Sequence, residues 1–128
     1  MKSIIYFLIG LASFSTMAQE TLQEDGYMVL TTNPEQLKPI LLAASDLDAN
    51  GEFKIVFYGG KVTELLQPEI QQYIELAEKQ NVKISVCKMS LDHLKIDPLK
   101  IPAQIEIVDN AFLYAFQLQK NGYKTLNL

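Results

Sequence analysis

The sequence contains no arginine and no tryptophan, and all 11 of its basic residues are lysines. Arginine is the side chain best suited to bidentate contacts with phosphate groups and guanine bases, so its absence removes the main tool of nucleic-acid recognition. The lysines form no basic cluster, and the formal net charge is -4. We therefore expect no nucleic-acid partner.

Histidine and cysteine each occur once, as His93 and Cys87. A single histidine excludes histidine-rich metal sites. Residues 46–51, DLDANG, match the first half of a twelve-residue calcium-binding EF-hand loop. The twelfth position should be a bidentate glutamate, but here it is Phe57. The sequence also lacks a glycine-rich phosphate loop and a nucleophile elbow. We predict neither a metal site nor a bound cofactor.

Residues 1–18 have the pattern of a secretory signal peptide. Lys2 supplies a positive charge, an apolar stretch runs from Ile4 to Phe14, and Ala18 is a small residue at the expected cleavage position. The stretch is short for a membrane span, and nothing later in the sequence could cross a bilayer. We expect cleavage after Ala18, a periplasmic or secreted location, and no stable membrane insertion afterwards. An uncleaved membrane anchor is the alternative.

Residues 19–128 have the length of one small domain, and the sequence shows no internal repeat or linker. Apolar residues make up 48% of the chain, which excludes a disordered protein. Strand-like and helix-like segments alternate; the predicted strands are residues 26–32, 53–58, 82–87, 105–108 and 123–128. This alternation predicts an α/β fold with a doubly wound, mostly parallel sheet of about five strands and helices on both faces.

Cys87 ends the third predicted strand, and a helix-compatible stretch begins directly after it. Backbone N–H groups at a helix N-terminus can stabilise a thiolate. In open α/β sheets, ligands bind at the carboxyl ends of the strands. Besides Cys87 as the catalytic candidate, that edge is predicted to hold candidate binding residues, namely Asn33, Tyr58, Gly59, Gly60, Lys88 and Ser90. The end of the fourth predicted strand adds Asp109 and Asn110 to the same edge.

Two residues of this region have plainer interpretations. An exported protein with one cysteine cannot use it for an internal disulfide, so Cys87 serves either packing or chemistry. Cysteine is among the most buried residue types and often acts as a small hydrophobe. His93 follows six residues later and is either a solvated surface residue or a general base for the thiol.

A family resemblance rests on four segments. Residues 81–97, NVKISVCKMSLDHLKID, resemble a family segment in which a strand ends in cysteine and a short helix follows. Residues 105–126, IEIVDNAFLYAFQLQKNGYKTL, resemble the family's closing strand, helix and Gly-Tyr turn. The segments YMVLTTNPEQLKPILLAASDL and FKIVFYGGKVTELL fit its first two strand–helix units. On these segments, residues 19–128 are similar to the DsrE/DsrF-like sulfur-relay family.

The resemblance implies a flavodoxin-like domain that assembles into homo- or hetero-oligomers. It also implies that Cys87 matches the cysteine that carries sulfur as a persulfide between donor and acceptor proteins. The relay members work in the cytoplasm, whereas this chain has the pattern of an exported protein. Two functions are therefore considered: sulfur transfer through Cys87, or a non-enzymatic oligomeric binding module of the cell envelope in which Cys87 is structural.

The predicted helix at residues 111–120 favours a homo-oligomer. A surface helix needs one apolar stripe to cover its sheet, but this segment is apolar on more than one side. Exposed apolar patches of this kind mark interfaces. A helix that is buried on two sides within one subunit is the alternative.

The signal-peptide pattern of residues 1–18 predicts that the mature chain begins at Gln19. The small side chain of Ala18 fits the cleavage pattern, so Ala18→Phe should leave the precursor uncut. Amino-terminal sequencing of the exported protein tests both expectations. Gln19→Ala changes the residue on the other side of the cleaved bond and is the control, and its secreted yield should equal that of the wild-type protein. Recovery of an exported chain that still begins with Met1 would contradict the prediction.

Overall fold

The computed structural model describes residues 26–47 and 52–128, so the predicted signal peptide and its cleavage site lie outside the described residues. The described part contains five strands: β1 Gly26–Thr31, β2 Phe53–Phe57, β3 Val82–Cys87, β4 Ile105–Val108 and β5 Tyr123–Asn127. It contains four α-helices: α1 Leu37–Asp46, α2 Pro68–Lys79, α3 Lys88–His93 and α4 Ala111–Lys120. Short 3-10 helices occupy Pro34–Gln36, Val62–Leu66 and Pro98–Lys100.

The five strands form one sheet in the order β4-β3-β2-β1-β5, and every pair is parallel. The predicted α/β class and the strand count of the sheet are confirmed. From β1 to β4 the chain steps outward in one direction, and it then returns past the whole sheet to place β5 beside β1. Because parallel crossovers are nearly always right-handed, this reversal moves the last helix to the opposite face.

Each face of the sheet has its own apolar layer. On one face, α1 and α2 cover alternate strand residues such as Ile55, Ile84 and Val86. On the other face, α4 packs through its inward residues Ala111, Ala115 and Leu118. The strand residues under α4 are Met28, Val56 and Cys87. The short helix α3 adds Leu91 to the first layer. The sheet is therefore doubly wound, with α1, α2 and α3 on one side and α4 on the other.

The helix starts follow local sequence rules. Asn33 accepts a hydrogen bond from the N–H of Glu35 at 3.1 Å, and Pro34 opens the 3-10 helix that leads into α1. Pro68 likewise opens α2. In the sequence, the three-to-four-residue spacing of Leu37, Ile40, Leu41, Ala44 and Leu47 predicts that all five lie on the buried face of the first helix. For Leu47 this prediction is wrong: α1 ends at Asp46, and Leu47 is in extended conformation with 41% of its surface exposed.

A polar network joins β5 to β2 at the amino end of the sheet. The hydroxyl of Tyr123 donates to Glu52 at 2.7 Å, and Lys54 donates to the hydroxyl of Tyr114 at 3.2 Å. Burial and the hydrogen bond to Glu52 raise the pKa of Tyr123 to about 12. Hydrogen bonds from Tyr123 and Lys83 hold the pKa of the Glu52 carboxyl below its usual value. The network fixes the Tyr123 ring over the start of β1.

Gly26 is required by that ring. A Cβ atom on Gly26 would lie 2.5 Å from Cε2 of Tyr123, closer than real contacts allow. We expect Gly26→Ala to destabilise the fold by about 1–3 kcal/mol, the usual cost of forcing extra volume into a packed site. Urea unfolding of the purified domain measures the change. The control is Gly60→Ala, since nothing lies within 4 Å of a Cβ there. Equal stabilities for the two variants would show that the Tyr123 ring yields freely.

Candidate active site

Cys87 occupies the junction between β3 and α3 at the carboxyl edge of the sheet. It is the last residue of β3 and the N-cap residue of α3. The alternation of strand side chains turns Cys87 toward α4, on the face opposite Ile84 and Val86. Only 5% of its surface is exposed. The sequence-based position of the thiol at a strand-to-helix boundary therefore agrees with the structure.

A second helix also begins at the thiol. The backbone N–H of Ala111, the first residue of α4, donates to Sγ of Cys87 at 3.4 Å. The register of the sheet produces this contact, since Cys87 pairs with Val108 and α4 starts three residues after Val108. Asn110 caps α4 by accepting from the N–H groups of Phe112 and Leu113 at 3.0 and 3.3 Å. The sulfur thus lies where two helix N-termini meet.

These donors determine the ionisation of the thiol. Burial raises the pKa of Cys87, but the N–H of Ala111, the N–H and hydroxyl of Ser90, and the N–H of Met89 outweigh it, so that the pKa is lowered overall. The side chain makes no capping hydrogen bond of ordinary geometry to α3, so the first N–H groups of that helix act on it as nearby dipoles. A lowered pKa is the property that makes a cysteine nucleophilic near neutral pH.

Ser90 is held in place by the loop that follows β2. The backbone N–H of Gly59 donates to the Ser90 hydroxyl oxygen at 2.9 Å. Gly59 has a φ of 91°, a conformation that side-chain-bearing residues rarely adopt. Because the hydroxyl oxygen already accepts from Gly59, its own proton remains free to face the sulfur. The Tyr58-Gly59-Gly60 loop therefore supports the thiol through Ser90.

The thiol opens into a cavity of about 250 Å³. Its wall includes an edge-to-face aromatic pair, Tyr58 and Phe112, with ring centroids 5.0 Å apart. The cavity is lined by residues at the ends of three strands, by residues of α3 and its C-cap, and by the start of α4: Tyr58, Gly59, Gly60, Cys87, Met89, Ser90, His93, Leu94, Asn110, Ala111 and Phe112. Ligand sites in proteins commonly have this mainly apolar composition with a few polar groups.

The structure brings together most of the predicted binding residues. Tyr58, Gly59, Gly60 and Ser90 line the cavity with Cys87, and so does the exposed His93. Two others lie apart from it. Asn33 accepts from Glu35 at the start of a 3-10 helix, and Lys88 is exposed as the first residue of α3. The structure thus separates the positive charge of Lys88 from the cavity lining.

Sequence reasoning missed the role of α4 in this site. The N–H of Ala111 donates a hydrogen bond to Sγ, and Phe112 forms part of the cavity wall. The sequence feature that points to this role is Asn110, a helix-capping residue two positions after β4, at the carboxyl edge of the sheet where ligands bind. Nothing in the sequence indicated that β4 pairs with β3, and that pairing is what brings Ala111 to the sulfur.

A larger apolar groove of about 390 Å³ lies between α1 and β5. The side chains that line it include Lys124 but no cysteine, histidine or acidic residue. It therefore offers no thiol, imidazole or carboxylate, and the smaller cavity at Cys87 is the better candidate for chemistry. Within residues 26–47 and 52–128, no group of three or more metal-ligating side chains lies close enough to hold an ion. No helix in the same ranges is long and apolar enough to cross a membrane.

The fold and site define an α/β protein with a parallel five-stranded sheet and a thiol at its carboxyl edge. The DsrE/DsrF-like family model matches residues 21–128, and the chain belongs to the DsrE/DsrF-like family. The expected family is thereby confirmed. No curated protein matches the chain.

Two solved structures share the fold. A protein of unknown function, MTH1491 from Methanobacterium thermoautotrophicum, superimposes with a TM-score of 0.69 at 14% identity, covering 83% of this chain and 100% of its own. The ychN protein from E. coli superimposes with a TM-score of 0.63 at 19% identity, with the same two coverages of 83% and 100%. At these identities the likeness establishes the fold alone.

The contact from Ala111 predicts a pH effect. Ala111→Pro removes the N–H that faces Sγ, while proline suits the first position of a helix and the preceding Asn110 is already extended. Hydrogen bonds to charged groups contribute about 1.5–3 kcal/mol, so we expect alkylation of Cys87 by iodoacetamide at neutral pH to slow about tenfold. The midpoint of the rate–pH profile should move to higher pH.

Ala111→Gly retains the N–H and serves as the matched control. The sign of the linked stability effect is fixed as well. A folded-state pKa below that of the unfolded chain adds stability that is fully present above the unfolded pKa and is lost as the pH falls through the folded pKa. Ala111→Pro should therefore reduce the gain in the free energy of unfolding between neutral and alkaline pH. An unchanged rate–pH midpoint in Ala111→Pro would show that the N–H of Ala111 does not stabilise the thiolate.

Proposed function

We propose that this protein handles sulfur through a persulfide on Cys87. The observation that carries the proposal is the hydrogen bond from the N–H of Ala111 to Sγ, made inside a cavity open to a small molecule. The lowered pKa of the thiol and the membership of the DsrE/DsrF-like family support it. The thiolate is the chemically competent form, and the site stabilises it by backbone dipoles without a metal or cofactor.

The loading step is an exchange at sulfur. The Cys87 thiolate attacks the terminal sulfur of a donor persulfide, R–S–SH. A bond forms between Sγ and that sulfur, the S–S bond of the donor breaks, and the donor leaves as the thiolate R–S⁻ with the electron pair. The proton remains on the transferred sulfur, so that Cys87 becomes Cys–S–SH. This step is thiol–disulfide exchange chemistry, and no net oxidation or reduction occurs.

The unloading step is the same exchange in reverse. An acceptor thiolate attacks the terminal sulfur of the Cys87 persulfide, the Sγ–S bond breaks, and Cys87 is released as a thiolate. The N–H of Ala111 would then stabilise Cys87 as the leaving group, because a leaving thiol with a lower pKa departs faster. The partners of this proposal are a sulfur donor and a sulfur acceptor.

A second candidate function is a non-enzymatic binding module with a structural Cys87. The supporting observation is that the thiol is only 5% exposed and packs in the apolar cluster with Met28 and Val56. Buried cysteines in apolar clusters commonly act as small hydrophobes. The two candidates differ in one property, which is whether Cys87 reacts while the protein is folded.

Sulfur loading is the direct test. After treatment of the folded mature protein with a freshly generated small alkyl persulfide, intact-mass spectrometry should show an added sulfur atom that dithiothreitol removes. Cys87→Ser should show no such adduct. Urea-unfolded protein serves as the control for intrinsic thiol reactivity. An adduct on the unfolded chain but none on the folded chain would favour the binding module.

We also propose export to the periplasm or beyond, supported by the Lys2, Ile4 to Phe14 and Ala18 pattern. In that case the donor and acceptor would be found outside the cytoplasm. Since oxidising compartments remove free thiols by disulfide formation, a buried thiol has an advantage there. The near-complete burial of Cys87 is consistent with this location.

We further propose a homo-oligomer that buries the outer side of α4. Leu113 and Phe116, which do not line the cavity, are exposed by 55% and 67% in the single chain. Burying an apolar side chain of this size contributes about 1.5–3 kcal/mol, so several on one helix can stabilise an interface. A second copy of the chain is the proposed occupant.

Light scattering at micromolar concentration tests the assembly. We expect an oligomer for the wild-type protein and dissociation by Phe116→Glu, which places a charge in the interface. Leu42→Glu is the matched control, because Leu42 is an exposed leucine on α1, away from α4. A wild-type monomer, or equal dissociation by both variants, would count against an interface at α4.

A further inference from the structure

We propose that the cavity selects a small, uncharged organic persulfide as the sulfur donor and rejects charged donors of peptide size. The inference rests on the proposed persulfide function and goes beyond it by naming the class of donor. Three features of the cavity support it: its size, the chemistry of its wall, and the prior engagement of its polar groups.

Size limits what can reach the sulfur. With only 5% of Cys87 exposed, a donor reaches Sγ by entering the cavity. The cavity volume of about 250 Å³ equals the liquid volume of roughly eight water molecules at ~30 Å³ each. A persulfide with a compact alkyl or benzyl group fits such a space. A tripeptide persulfide is larger, and its charged ends would have to lie against the apolar wall or remain outside the opening.

The wall offers little to a charged donor. Tyr58, Phe112, Met89 and Leu94 give it aromatic and aliphatic surface. His93 is the one lining side chain with a basic group, and no lysine or carboxylate side chain lines the cavity. A charged group that enters apolar surroundings without a partner loses its hydration at a large cost in free energy. An alkyl or aryl group instead gains by leaving water.

Three polar groups at the cavity already make hydrogen bonds within the protein. The N–H of Ala111 donates to Sγ, the Asn110 oxygen accepts from Phe112 and Leu113, and the Ser90 oxygen accepts from Gly59. A ligand carboxylate or amide would have to displace these contacts. The same arrangement suits a donor whose only reactive group is its S–S bond, since the exchange step needs contact with Sγ alone.

Phe112 is the residue that would set this selectivity. It pairs edge-to-face with Tyr58 at the cavity wall, and about half of its surface is exposed, which places it at the opening. Phe112→Ala would widen the opening and remove apolar surface. Phe116 lies one turn further along α4, is also exposed, and does not line the cavity. Phe116→Ala is therefore the matched control, and it also accounts for any effect of the outer side of α4 on assembly.

The experiment compares two donors on the full mature protein. Freshly generated benzyl persulfide and glutathione persulfide are each added to folded protein, and the rate of sulfur addition to Cys87 is followed by intact-mass spectrometry. The same ratio of rates on urea-unfolded protein corrects for the intrinsic reactivity of the two donors. Relative to the unfolded chain, we expect the folded protein to favour benzyl persulfide by about tenfold or more, because the charged tripeptide loses hydration on entry.

Phe112→Ala should reduce this preference severalfold, and Phe116→Ala should retain it. Equal corrected rates for the two donors would overturn the inference while leaving the persulfide function intact. A preference that Phe112→Ala does not change would overturn the assignment of selectivity to the cavity wall. Reaction of the unfolded chain but of neither donor with the folded protein would instead refute the persulfide function, and the inference would fall with it.

Discussion

The parallel pairing of β4 with β3 is the constraint on which the rest of the site depends. It sets Val108 opposite Cys87, so the chain leaves β4 beside the sulfur and begins α4 there. β5 pairs with β1 at the far edge, and α4 crosses the other face of the sheet on the way to it. One register thus places a second helix N-terminus against the thiol and gives the sheet its second apolar layer.

The two faces of the sheet divide stability from chemistry. The face under α1 and α2 carries the larger apolar cluster, and its strand residues are almost completely buried. The face under α4 has a smaller cluster that includes Cys87. With one helix to cover it, this face leaves a cavity at the carboxyl edge of the sheet. A thiol on the other face would lie deep in the main core, where no donor could approach it.

The two ends of the α4 face also differ. At the amino end, Glu52, Lys54 and Tyr123 link β2 to β5 by charged and hydrogen-bonded contacts. At the carboxyl end, the backbone N–H groups of loops and helix starts point to the sulfur and to Ser90. Hydrogen bonds between side chains thus hold the edge strand, and backbone dipoles stabilise the thiolate. Such dipoles are fixed by the fold, so they need no reorganisation when charge develops on the sulfur.

Local sequence was sufficient for the elements and for half of the site. The alternation of apolar residues predicted all five strands, and Asn33, Pro34 and Pro68 marked helix starts, because capping and proline geometry act within a few residues. The same local logic placed Cys87 between β3 and α3 and brought Tyr58, Gly59, Gly60 and Ser90 to the same edge of the sheet.

Local reasoning failed for Leu47, whose exposure depends on where α1 ends. It also assigned Asn33 and Lys88 to the site, although neither residue lines the cavity. The contact from Ala111 and the wall formed by Phe112 were decided by tertiary structure alone, whereas the lowering of the thiol's pKa also has local contributions from Met89 and Ser90. They depend on which strands pair and in what register, and pairing is set by the burial of side chains far apart in the chain, which no local pattern records.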